Sequence, residues 1–184
     1  MTKFRDRYRI ESARLRGWDY SSGAWYFLTV CTLGARPLLG SVEGPVVKLT
    51  AVGETAKRFW QDIPVHVPSA RIDEFKIMPN HLHGIIEVGR ATGGSHAPMG
   101  RRPSGERMAD ISPEKGSLSV AVRSFKSAVT RWCRGIGDDD FAWQSGFYEH
   151  IIRNDESLSE IRRYILENPL RWDLEKNDPE NLYM

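Results

Sequence analysis

The chain is 184 residues long, 40% hydrophobic and 27% charged, enough to close one apolar core and too short for two ordinary domains. Its 26 basic and 24 acidic side chains nearly cancel at +2, and two cysteines, Cys31 and Cys133, without C-x-x-C spacing exclude a disulfide-stapled scaffold and favour a reducing compartment. No apolar run approaches the roughly 20 residues that cross a bilayer, and residues 1–16 lack a signal-peptide pattern, so the sequence predicts one soluble, cytoplasmic domain over residues 1–184.

The chain opens with a basic segment over residues 1–20. Ala24 to Leu33 is aromatic and β-branched between Gly/Ser-rich and Gly/Pro-rich flanks, and reads as a central strand. Leu49 to Ile63 sets Val52, Ala56, Phe59, Trp60 and Ile63 at helical spacing, with Pro64 as the stop. Ala70 to Met78 and Leu82 to Val88 read as two antiparallel strands joined at Pro79-Asn80. Residues 89–117 form a long, flexible, basic loop rich in Gly and Pro. Leu118 to Trp132 returns to helix, and Phe141 to Ile152 reads as a fourth strand after the Asp138-Asp139-Asp140 turn. A last helix starts at the N-cap Asn154 and is expected to end before Pro169. The order is β-α-β-β-α-β with an added C-terminal helix, an α+β fold of the ferredoxin-like, antiparallel kind.

Charge is unevenly spread. The local balance is +4 over residues 1–16, −1 over 17–89, +6 over 90–134 and −7 over 135–184, and arginine outnumbers lysine 19 to 7. Two basic, arginine-rich segments suit a polyanionic partner, although a solvated tail and loop would have the same composition.

Two constellations carry chemistry. In Asn80-His81-Leu82-His83, strand alternation puts both imidazoles on one face, where they are either a ligand pair for a divalent cation or two solvent-facing histidines at a wet sheet edge. On the last helix, Leu158, Ile161 and Ile165 form a core stripe, and Tyr164 lies at its margin one turn before Asn168. The tyrosine is either an amphipathic boundary residue or a group presented to a site in front of the sheet. The asparagine is either a helix C-cap or a metal ligand.

Together with Gly23-Ala-Trp-Tyr-Phe-Leu-Thr-Val-Cys-Thr32, Met78-Pro-Asn-His-Leu-His-Gly-Ile-Ile86, Trp143-Gln-Ser-Gly-Phe-Tyr-Glu-His150 and Tyr164-Ile-Leu-Glu-Asn-Pro169, these features resemble the single-tyrosine HUH transposases, most of all the REP-associated tyrosine transposases. The resemblance runs over nearly the whole chain. It implies an enzyme that cleaves and rejoins single-stranded DNA next to hairpins through a 5′-phosphotyrosine link. His81, His83 and Asn168 would then hold Mg²⁺ or Mn²⁺, and Tyr164 would be the nucleophile. Arg14, Arg16, Arg123 and Lys126 are the candidates for DNA backbone contacts, with surface solubility as their other reading. Tyr148 is the rival nucleophile. The partners expected are single-stranded or hairpin DNA and no membrane, with either a monomer or a homodimer. A hairpin-binding protein that does not cleave, of DNA or RNA, is the second functional reading. Loop 89–117 departs from the family in its length.

Overall fold

Four antiparallel strands in the order 4-1-3-2 form the sheet on which the histidines sit. The structure, a computed structural model, describes residues 3–4, 7–8, 23–89 and 117–175. In chain order the elements are β1 (Lys3–Phe4), β2 (Arg7–Tyr8), β3 (Ala24–Cys31), β4 (Gly40–Glu43), β5 (Val46–Leu49), α1 (Ala51–Gln61), α2 (Ile63–His66), β6 (Ala70–Ile77), β7 (His81–Val88), α3 (Leu118–Gly135), β8 (Tyr148–Ile152) and α4 (Asp155–Glu175). The sheet runs β6-β7-β3-β8, with every neighbour antiparallel. The β3-α1-β6-β7-α3-β8 order with α4 appended agrees with the α+β expectation.

The two central strands are covered on both faces, so they read as continuous apolar runs rather than alternating ones. Tyr26, Leu28, Val30, Leu82, Ile86 and Val88 face α1 and α3, and they close the main core with Trp60, Val122, Phe125 and Val129. Phe27 and Ile85 face the other way, into a smaller cluster with Ile152, Leu158 and Ile165 beneath α4. At Gly84 the Trp60 side chain of α1 lies close against the backbone of β7. A Cβ there would lie 2.3 Å from Cζ2 of Trp60, so only glycine lets the indole sit flat on β7.

Several boundaries differ from the sequence reading. The hairpin β4–β5, with Gly44 at a positive φ of 60° in its turn, was not foreseen, and it displaces the start of α1 to Ala51 behind the N-cap Thr50. The fourth strand is confined to Tyr148–Ile152, because Gly146 at φ 75° breaks the extended path; Trp143 makes only an isolated bridge to Thr32. The last helix does not stop before Pro169. It continues to Glu175 with the proline inside it. The β7 strand is not a wet edge, since β3 and β6 flank it. Residues 1–2, 5–6, 9–22 and 90–116, and with them most of the basic N-terminal segment and of loop 89–117, lie outside the described residues. Among the described residues, no helix is long and apolar enough to cross a membrane.

Candidate active site

His81 and His83 enter the α4 face of the sheet from the first and third positions of β7, with ring centroids 4.4 Å apart. Each is only 1% exposed, which rules out the solvent-facing reading of the pair. Cross-strand register explains how a buried polar ring is tolerated here. His83 lies opposite Thr29 of β3, whose Oγ1 is 2.9 Å from Nδ1. His81 Nδ1 lies 2.7 Å from Oδ1 of Asn80. The Asn80 amide is oriented by its own Nδ2, which donates to the carbonyl of Ala35 at 3.3 Å. Its oxygen therefore faces His81, Nδ1 carries the proton, and Nε2 is left with its lone pair. That Nε2 is buried and has no hydrogen-bond partner.

Burial holds both imidazoles neutral. It pushes the pKa of His81 down to about 3, and that of His83 well below its ordinary value of 6.5, where the neighbouring His81 adds to the effect. A neutral imidazole with its Nδ1 held by a second group and its Nε2 lone pair exposed to the site is the form that ligates a metal.

Helix α4 brings the remaining groups. Its first turn is capped by Asn154, whose Oδ1 accepts from the amide of Ser157 at 2.8 Å, and carries Asp155 and Glu156 against the helix dipole. Leu158 and Ile165 seat it on the sheet. Tyr164 then meets the pair: its hydroxyl is 3.4 Å from His83 Nε2, and its ring makes edge contacts with His83 at 5.3 Å and Phe27 at 6.1 Å. Phe27 also stacks on His83 at 5.2 Å, which fixes the plane of that imidazole. One turn beyond Tyr164, Asn168 is fully buried inside the helix and is not a C-cap. A further turn on, Trp172 lies with its ring 6.0 Å from His81.

Neutral imidazole nitrogens and amide oxygens are donors of the kind a divalent cation takes. Among the described residues no group of three His, Cys, Asp or Glu side chains could hold a metal. Asn168, buried one helical turn beyond Tyr164, carries a neutral amide oxygen.

The other sequence candidates scatter. Arg14 and Arg16 lie outside the described residues. Arg123 is exposed on α3, on the far side of the sheet. The Lys126 amine is half-buried and donates to the carbonyls of Gln144 and Gly146 at 2.6 and 2.7 Å, tying the turn before β8 to α3; burial lowers its pKa. Beside it runs a groove of about 460 Å³ lined by Thr130, Arg131, Arg134 and Trp143. Tyr148 faces the same side as the histidines, in register with Thr29 and partly buried against the Phe27 cluster.

Three residues at the site escaped the sequence reading. Thr29 acts through cross-strand register, which a single sequence does not display. Asn80 stood in plain view beside the pair without a role. Trp172 follows Asn168 by four residues and Tyr164 by eight, a helical spacing that becomes visible only when the helix is carried through Pro169.

No family model matches the chain. A protein of Haemophilus influenzae, described as uncharacterized, is 39% identical over 166 residues that cover 88% of this chain and 89% of that one. Among solved structures, a REP-associated tyrosine transposase bound to a REP hairpin is similar with a TM-score of 0.56 at 22% identity, over 93% of this chain and 74% of that one. The likeness is one of fold.

Proposed function

The chain belongs to the same family as the Haemophilus influenzae protein and has the fold of a REP-associated tyrosine transposase, and from that premise we propose that it is a DNA strand transferase acting on single strands beside hairpins. The observation that carries the reading is the buried His81–His83 pair with Tyr164 against it, each imidazole held by its Nδ1 and neutral down to acid pH. Such a pair costs stability and serves no packing purpose that a leucine would not serve better.

In this reading His81, His83 and Asn168 hold Mg²⁺ or Mn²⁺. When bound, the ion supplies Lewis acidity and charge neutralisation at the scissile phosphate. Asn80 fixes the tautomer of the His81 ring, and Thr29 holds the orientation of the His83 ring. The phenolic oxygen of Tyr164 attacks phosphorus as the bond to the 3′ oxygen breaks. The proton lost by the phenol ends on the released 3′-hydroxyl, and the 5′ end stays joined to the tyrosine. The phosphoryl bond is exchanged rather than hydrolysed, so the 3′-hydroxyl of another strand can reverse the step without an external energy source. Seating Tyr164 on a helix packed by Leu158 and Ile165 holds the nucleophile in place before substrate arrives.

The test is covalent capture. Single-stranded hairpin oligonucleotides with randomised flanks, incubated with protein and Mn²⁺, are expected to give a slower, nuclease-sensitive band on a denaturing protein gel. The band should vanish in EDTA and in Tyr164→Phe, a loss of at least a thousandfold in adduct, while Tyr148→Phe retains it. A band that survives Tyr164→Phe but not Tyr148→Phe reassigns the nucleophile. Hairpin binding with no adduct under any metal favours the non-cleaving reading.

A further inference from the structure

We propose that Trp172 is a stacking platform for an unpaired nucleobase next to the scissile phosphate. The inference rests on the strand-transferase reading and adds to it a subsite for the substrate's bases, where His81, His83, Tyr164 and Asn168 address only the phosphate.

Three observations point there. First, Trp172 shares a helix face with the site. It lies one turn beyond Asn168 and two beyond Tyr164, and its ring is tilted 33° to the His81 imidazole at 6.0 Å. Second, the helix continues to this residue against local preference. Pro169 lies inside α4, where it removes one backbone hydrogen bond and crowds the preceding turn, yet the helix runs on to Glu175. Third, the two imidazoles have aromatic neighbours of different kinds. Phe27, stacked on His83, is 4% exposed and belongs to the apolar cluster. Trp172, beside His81, is only half-buried.

A partly exposed indole at the edge of a phosphate site has the chemistry of single-strand recognition. Every base offers a π-face, and an aromatic side chain takes it without reading sequence. The bases flanking a cleaved single strand are unpaired and must leave water or stack on something. Burying only His81 from water would need no aromatic ring, since an aliphatic side chain excludes water as well. That difference makes the proposal testable.

The probe is a fluorescein-labelled DNA hairpin with a short single-stranded thymidine flank, compared with the same hairpin carrying an abasic flank of equal length. Affinity is measured by anisotropy in EDTA, so that no cleavage intervenes. The wild-type protein should bind the thymidine flank more tightly than the abasic one, and Trp172→Ala should weaken the former by about fivefold to a hundredfold and the latter little. Trp172→Phe should restore most of the loss and Trp172→Leu should not. Equal weakening of both hairpins, or a Trp172→Leu protein that binds like wild type, overturns the stacking role while hairpin binding and adduct formation by the wild type leave the strand-transferase reading standing. If the wild type neither binds the hairpins nor forms an adduct with Mn²⁺, the strand-transferase reading itself fails and takes the subsite with it.

Discussion

The two faces of one sheet are built to different ends. Toward α1 and α3, Tyr26, Leu28, Val30, Leu82 and Ile86 meet Trp60, Val122, Phe125 and Val129 in a core that is apolar apart from Glu149, buried beside Leu28. Toward α4, the same strands present Phe27, Thr29, His81, His83 and Ile85, and only a small apolar cluster holds the helix down. Alternation along β3 and β7 is what allows this division: each successive residue goes to one task or the other. The first face supplies the stability that lets the second keep two neutral imidazoles in the dry interior.

The largest effect that should separate the faces is a pH dependence confined to the α4 side. The folded-state pKa of His81 is pushed down to about 3 and that of His83 well below 6.5, both by burial. Between those values and about 6.5 the unfolded chain binds protons that the folded chain refuses. Stability from this source is therefore complete above about pH 6.5 and is lost as pH falls, by up to about 1.4 kcal/mol per pH unit for each histidine. Urea unfolding of metal-free protein in EDTA should show midpoints dropping between pH 6.5 and 4.5. The His81→Leu variant should lose part of that slope and be more stable at the acid end. A slope unchanged by the substitution would mean that the pair is far wetter than its burial indicates.

A smaller effect should come from the other face. In Gly84→Ala the new methyl group meets the indole of Trp60, which is fully buried and has no room to withdraw. Overpacking of this kind costs roughly 1–3 kcal/mol. The loss should be nearly the same at pH 7.5 and pH 5, because the clash is between a methyl group and an indole, neither of which titrates. A pH-dependent loss that disappears in a His81→Leu background would show that the two faces are coupled through β7 more tightly than the alternation implies, and one that persists there would trace it to the buried Glu149, which shares the cross-strand row of Gly84 and Leu28.

How far the sequence could be read follows the same division. Helices α1 and α3 and strands β3, β6 and β7 were legible because the main core imposes period and apolarity on them, as at Phe125, Val129, Leu82 and Ile86. The site was half legible. Spacing within single elements picks out His81, His83, Tyr164 and Asn168 but leaves each with an ordinary alternative, and only the family resemblance implied their roles; the structure sets Tyr164 against His83 and Trp172, one turn beyond Asn168, against His81. Their supports do not follow from spacing. Thr29 reaches His83 across a strand pair, and Trp172 sits beyond a proline that local chemistry marks as a stop. The errors arose where tertiary contacts override local preference: Pro169 inside α4, the Gly146 turn that shortens β8, and the hairpin β4–β5, whose partly exposed residues carry little apolar signal.

The smallest effect probes what holds α4 in place apart from its few apolar anchors. Arg162, two residues before Tyr164, donates through Nε and Nη2 to Oδ2 of Asp73 at 2.8 and 2.6 Å. Asp73 belongs to β6 at the irregularity in its pairing with β7, between Ile72 and Phe75. The arginine side chain is 41% exposed, so water screens the pair, and its contribution to stability should be below about 1 kcal/mol. A double-mutant cycle with Asp73→Ala and Arg162→Ala should give that coupling, shrinking further in high salt. The consequence for Tyr164 is separable from stability. With the tie cut, the helix is still seated by Leu158 and Ile165, but its position over the histidines is less fixed, so the rate of adduct formation should fall a few-fold while the unfolding midpoint scarcely moves. A coupling well above 1 kcal/mol that persists in high salt would mean that α4 is held chiefly by charge. The contrast between the two faces would then be one of bonding type as well as of packing density.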